Sequence, residues 1–189
     1  FAQGLALSIT ALLLTSCGDG GSADTDKPVI RNSNLPNIIF ILTDDHGYAD
    51  LGAQGVVSDI KTPHLDQLAK TGVRMTSGYV TAPQCTPSRA ALMTGRYQQK
   101  FGVEDNNYSP LPLTQATLAE KLSAVGYKTG IMGKWHLDVN GASKRWYDEV
   151  YAPGSSVPFN ENNIPFAEKL KYYPESRGFQ DNFVGYYTN

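Results

Sequence analysis

Residues 37–43, Asn-Ile-Ile-Phe-Ile-Leu-Thr, form a continuous apolar, β-branched run between Pro36 and Asp44. Without polar alternation, such a run predicts a strand buried on both faces. A strand of that kind needs a covering layer on each side, and helices flanking a parallel sheet supply it. The sequence that follows has the matching grammar. "TPHLDQLAKTG" predicts a helix with Thr62 as N-cap, Pro63 as first residue and Gly72 as stop. Leu65, Leu68 and Ala69 share one face of it. "VRMTSGYV" predicts a second strand, and "TPSRAALMTG" a short helix opened by Pro87 and closed by Gly95. "LTQATLAEKLSAVG" predicts another helix, capped by Thr114 or Thr117 and ended by Gly126, with Leu118 and Leu122 as its apolar stripe. "YKTGIMGKW" and the aromatic segment before "GYYTN" read as strands. Alternating strands and helices define an α/β fold with a mainly parallel sheet.

The 189 residues suffice for one domain with a core. Hydrophobic residues make up 41% and charged residues 18%, ordinary for a globular chain. A net charge of -2 offers no basic surface for nucleic acid or anionic membranes. Residues 138–175 stand apart. Their periodicity is weak, Pro153, Pro158 and Pro165 interrupt them, and a short helix is predicted around "FAEKLKYY". They read as an insertion leaving the sheet, a kind of segment that is often functional. Trp146, Tyr147, Tyr151, Phe159, Phe166, Tyr172 and Tyr173 lie within it. These rings either stack on sugar or pack the insertion down.

The chain begins at Phe1 rather than Met and stops at "GYYTN", so both ends read as cut. Residues 5–14, "LALSITALLL", are too short to span a bilayer and fit the apolar region of a signal peptide. Leu14-Thr15-Ser16-Cys17 resembles a bacterial lipobox. Lipidation of Cys17 predicts anchoring at a membrane surface, whereas an incidental cysteine would leave a plain secretory signal. Residues 18–35, rich in Gly, Ser, Asp and Asn, read as a flexible tether. The expected site is therefore periplasmic or cell-surface. With Cys17 lipidated or removed, Cys85 has no cysteine partner. An unpaired thiol in an exported protein needs an explanation.

Asp44 and Asp45 follow the first strand directly. Ligands gather beyond the carboxyl ends of strands in open α/β sheets. Two adjacent carboxylates either hold a divalent cation through oxygen or form a turn pair. Lys134 and His136 follow the strand "YKTGIM" and alternate. In extended backbone they would face one way, toward an anion, or else be a surface lysine and a structural histidine. With Pro87 as first helical residue, Cys85 sits just before the helix and Arg89 in its first turn. That end carries free N–H donors suited to an anion, and the alternative is an inert loop cysteine.

Taken together and in this order, these residues are specific. Cys85-Thr86-Pro87-Ser88-Arg89, followed by "AALMTGR", resembles the signature of type I, formylglycine-dependent sulfatases of the alkaline-phosphatase-like superfamily. "IIFILTDDHGYADLG", "TPHLDQLAKTGVRMTSGYV", "YKTGIMGKWHL" and "RGFQDNFVGYY" agree with that family. The resemblance runs from about residue 36 to 137 and resumes near Arg177. Asp138 departs from the glycine of many relatives.

The resemblance implies that residues 36–189 are the N-terminal part of a sulfatase catalytic domain. It implies that a formylglycine-generating maturase converts Cys85 to formylglycine. The aldehyde hydrate has two hydroxyls on one carbon. One attacks the sulfate ester, and the other collapses to the aldehyde and expels sulfate. Asp44, Asp45 and the modified Cys85 would ligate the metal, Ca²⁺ in preference to Mg²⁺. Arg89 would orient the hydrate, Lys134 would bind sulfate and His136 would take the hydrate proton. Family members carry further metal ligands and sulfate-binding residues downstream, so this chain alone is expected to be inactive. The expected substrate is a sulfated carbohydrate or an aryl sulfate. Two other readings keep the scaffold: a phosphate or phosphonate monoester hydrolase, and a non-catalytic surface glycan-binding protein.

Overall fold

The computed structural model describes residues 35–185. The signal-like run, Cys17 and all of the tether before Leu35 lie outside the described residues. Helix α1 spans Pro63–Thr71, α2 Cys85–Thr94 and α3 Leu118–Ala124. Strand β1 covers Gly130–Lys134 and β2 Asp181–Gly185. They pair in parallel, with Gly130 opposite Asp181 and Lys134 opposite Gly185. Between them run a short α4, Lys144–Trp146, continued by a π-helical turn at Tyr147–Tyr151, and α5, Phe166–Leu170. No helix among the described residues is long and apolar enough to cross a membrane.

Local chemistry accounts for the helices. In α3, Thr117 Oγ1 accepts the Glu120 N–H while Glu120 returns a carboxylate to the Thr117 N–H. This reciprocal box selects Thr117 over Thr114. In α1 the Thr62 hydroxyl makes no cap to the helix amides. It donates instead to Asp66 Oδ1 at 2.8 Å and accepts the Gly52 N–H. Helix α2 begins two residues earlier than the proline predicts. Gln84 is its N-cap and Cys85 its first residue. Pro87 loses nothing there, because first-turn amides have no intrahelical acceptor. Gly95 ends α2 in the left-handed region, φ 69°.

Two expected strands are not paired. Residues 37–43 and 73–80 join no sheet among the described residues. Ile39 is 86% exposed and Tyr79 88%, so neither segment is buried on both faces. An apolar pattern reports which side chains seek burial, but a strand also needs a neighbour for its amides. The leucines of α1, Leu65 and Leu68, are likewise exposed, with no covering layer among the described residues.

The packed core lies elsewhere. Ala90, Val103, Leu111, Ala119, Trp135, Leu137 and Phe179 join α2, α3 and the end of β1. The insertion has its own cluster of Val139, Trp146, Tyr147, Ile164 and Tyr172. Trp146 stacks on Tyr151 and donates Nε1–H to the Tyr172 hydroxyl at 2.9 Å. Most of the insertion's aromatics therefore pack it down. Phe166, 64% exposed, is the exception.

Candidate active site

Asp44, Asp45, Cys85, Arg89 and Lys134 converge, although they come from three separate segments. Asp44 and Asp45 leave the extended run, with Asp45 in the left-handed region at φ 50°. Cys85 opens α2, and Arg89 lies one turn further on, 8% exposed. Lys134 ends β1. Its Nζ donates to Asp44 Oδ2 at 3.1 Å and to Cys85 Sγ at 3.4 Å. Arg89 Nη2 donates to Asp44 Oδ1 at 3.2 Å, and Nη1 to the Lys134 carbonyl at 2.6 Å. A cavity of about 310 Å³ opens here, lined by Asp44, Asp45, His46, Gln84, Cys85 and Arg89 among others.

His136 arrives differently from the expected extended run. The strand stops at Lys134, Trp135 is buried, and His136 adopts φ 59°. The ring is half-buried, and its Nδ1 is buried with no hydrogen-bond partner among the described residues. Burial, then the charges of Lys134 and Arg89, lower its pKa against the pull of Asp44. A ring kept neutral has a free nitrogen lone pair that can accept a proton.

The hydrogen bond from Lys134 is the main cause holding the Asp44 carboxyl below its ordinary pKa; burial opposes it, and Arg89 adds to it. Burial works against the charge on Lys134, but the Asp44 and Cys85 contacts outweigh it and raise its pKa. Both groups are therefore ionised at neutral pH.

Asp44, Asp45 and Cys85 each offer a donor atom, and these lie within 4.8 Å of one another. Asp45 has no ion-pair partner among the described residues, so its charge is available to a cation. Carboxylate oxygens suit a hard divalent ion, and an oxygen at the Sγ position would suit it better than the thiol. The donor set fits part of such a shell.

Asn106 gives no local signal in the sequence. Its Oδ1 accepts the Thr86 N–H at 3.0 Å from twenty residues away. Asparagine is a common cap, but nothing in the intervening chain points to this helix.

Comparison with known proteins agrees with these features. The family model described as Sulfatase matches residues 36–187. Arylsulfatase A of Bos taurus is 53% identical over 109 residues, 55% of this chain and 21% of that protein. N-acetylgalactosamine-6-O-sulfatase of Bacteroides thetaiotaomicron is 36% identical over 91% of this chain and 30% of its own length. The crystal structure of Ps i-CgsB in complex with k-i-k-neocarrahexaose superposes with a TM-score of 0.53 and 32% identity, over 75% of this chain and 26% of that one. This chain thus spans about a quarter of the length of its relatives. Its mainly parallel α/β architecture is that of the neighbour. From the match over most of its length, the chain belongs to the sulfatase family.

Proposed function

We propose that this chain is the nucleophile-bearing N-terminal part of a sulfatase that hydrolyses sulfate esters of glycans. The observation that carries this is the meeting of Asp44, Cys85, Arg89 and Lys134 across sequence separations of 41 to 90 residues. Cys85 is the residue to be oxidised to formylglycine. Its hydrate supplies a nucleophilic hydroxyl and, on returning to the aldehyde, a route for sulfate to leave. Asp44, Asp45 and residue 85 hold a divalent cation, Ca²⁺ in our reading, which polarises a sulfate oxygen when bound.

The other side chains divide the remaining work. Lys134 stands 3.4 Å from the sulfur and offers its ammonium to the sulfate. Arg89 offsets carboxylate charge and orients residue 85. His136 accepts the hydrate proton as sulfate departs. Residues 36–189 form the N-terminal part of the catalytic domain, and residues 138–175 are an insertion in it. Residues 1–17 and 18–35 are an export signal ending at a lipidated Cys17 and a tether, and they hold the enzyme at a membrane surface. The glycan assignment is supported by the relative named for N-acetylgalactosamine-6-O-sulfate and by the neocarrahexaose held by the solved neighbour.

The first test is mass spectrometry of the tryptic peptide Met75–Arg89 after co-expression with a formylglycine-generating maturase. The expected product carries CHO in place of CH₂SH and resists thiol alkylation. A fully alkylatable Cys85 would overturn the assignment. Sulfate release from a sulfated oligosaccharide by the full-length protein is the second test.

A further inference from the structure

Thr86 and Arg89 are three residues apart and so share a face of α2. Both donate to main-chain carbonyls of the segment leaving β1. Arg89 Nη1 takes the Lys134 carbonyl at 2.6 Å, and Thr86 Oγ1 takes the His136 carbonyl at 3.3 Å. Trp135, between them, is 1% exposed and donates Nε1–H to the Tyr172 carbonyl at 2.9 Å. The next carbonyl, that of Leu137, accepts the Leu111 N–H. The carbonyls of Lys134, His136 and Leu137 and the indole of Trp135 are therefore all engaged.

His136 has the strained link. A non-glycine residue at φ 59° is strained and persists only where its surroundings hold it. The Thr86 hydroxyl is a direct hold on that peptide. Thr86 is itself fully buried, and Asn106 Oδ1 grips its N–H. A relay thus runs from Asn106 through Thr86 to the backbone of His136, while Cys85 is bonded covalently to Thr86. Moving the Thr86 hydroxyl would change the placement of the imidazole relative to residue 85.

We propose that Thr86, seated by Asn106, is a positioning residue for the reaction, its hydroxyl fixing the left-handed turn at His136 and so the place at which that side chain is held. The proposal rests on the reading above, in which residue 85 is the nucleophile and His136 the proton acceptor. A threonine needed only for maturation would leave turnover per formylglycine unchanged.

The test compares Thr86→Val, which keeps the shape and removes the hydroxyl, with Thr86→Ser, which keeps the hydroxyl. Both are made in the full-length matured protein, with formylglycine content measured by mass and used to normalise rates. Thr86→Val is expected to lower kcat about tenfold at unchanged KM, as loss of one buried hydrogen bond permits. Thr86→Ser is expected to retain the parent kcat. Asn106→Ala, which leaves the hydroxyl in place, should lower kcat less and speed exchange of the Thr86 amide proton. In the chain itself, the backbone carbon shifts of His136, which report its left-handed conformation, should move in Thr86→Val and stay in Thr86→Ser. Equal normalised kcat for Thr86→Val and parent, or unmoved His136 shifts, would overturn the proposal. If the parent hydrolyses no sulfate ester, the sulfatase reading has failed, and the His136 shifts alone decide the brace.

Discussion

The ammonium of Lys134 lies 3.4 Å from the sulfur of Cys85, although 49 residues separate them in the chain. This proximity places a compact cation beside the proposed nucleophile position. Lys134→Ala is expected to lower kcat/KM for a sulfate ester by roughly 10- to 100-fold, the scale of one charge-assisted hydrogen bond. Lys134→Arg should recover only part of this, because a planar fork does not present its charge as a point. Steady-state kinetics on the full-length protein check both.

Asp44 and Asp45 should show themselves through the metal. Chelation is expected to abolish turnover, with Ca²⁺ restoring it more fully than Mg²⁺. Asp45→Asn should weaken Ca²⁺ binding in calorimetry. Without metal, the Asp44 ion pairs set an acid limb of stability. Its folded pKa is depressed, so that stability is present above the ordinary carboxylate pKa and is lost as pH falls through the lowered one. Asp44→Asn should flatten that limb in urea melts at low pH.

Asp138 works in the opposite sense. Burial, with Glu161 nearby, pushes its carboxyl up to about 6, against a backbone hydrogen bond and Lys169. A carboxyl that holds its proton more tightly when folded favours folding at low pH. That advantage is lost as pH rises from about 4 through 6, to a total of about 3 kcal/mol. Asp138→Asn should therefore gain stability over the parent at pH 7.5 and not at pH 4, as denaturant melts at the two values will show.

Gly178 sits at φ 91°, and a Cβ there would lie 2.4 Å from the Glu120 amide nitrogen. The obstacle is the backbone of α3, which cannot swing aside. Gly178→Ala should destabilise the chain by about 2 kcal/mol or more, combining a strained dihedral with a steric clash. The neighbouring Arg177 is 1% exposed and donates to the carbonyls of Leu111 and Gln115, so the damage should spread to the start of α3. A urea melt followed by far-ultraviolet dichroism measures it.

Trp146 is 8% exposed; its indole stacks on Tyr151, meets Tyr172 edge-to-face and donates its Nε1–H to the Tyr172 hydroxyl. Trp146→Ala should cost about 3–5 kcal/mol of stability, as for other buried aromatic truncations. Trp146→Phe should cost less, losing mainly the bond to the Tyr172 hydroxyl. KM for glycan should be unchanged in Trp146→Phe, since little of the ring is free to meet a sugar.

Helices α1 and α3 were legible because their signals are local: proline and glycine at the ends, and a threonine three residues ahead of a glutamate. The segments at 37–43 and 73–80 read as sheet strands because their composition asks for burial. Pairing depends on neighbours that composition does not specify. The start of α2 is not legible because Pro87 looks like a first residue, while Asn106, far along the chain, accepts the Thr86 N–H of a helix that begins at Cys85. Asp44, Cys85, Arg89 and Lys134 could be named from motif spacing. The left-handed turn at His136 could not, since it depends on Thr86 and on the burial of Trp135.

Once α2 closes, Thr86 and Pro87 are sealed from solvent, Arg89 is nearly so, and Cys85 alone of the motif's first three residues keeps partial access. If Cys85 is modified as proposed, an enzyme that grips those side chains would race the folding of its own substrate. The modified fraction would then be a clock reading of how long this segment stays open, and mutations that merely slow the closure of α2 would yield more fully modified protein from the same gene.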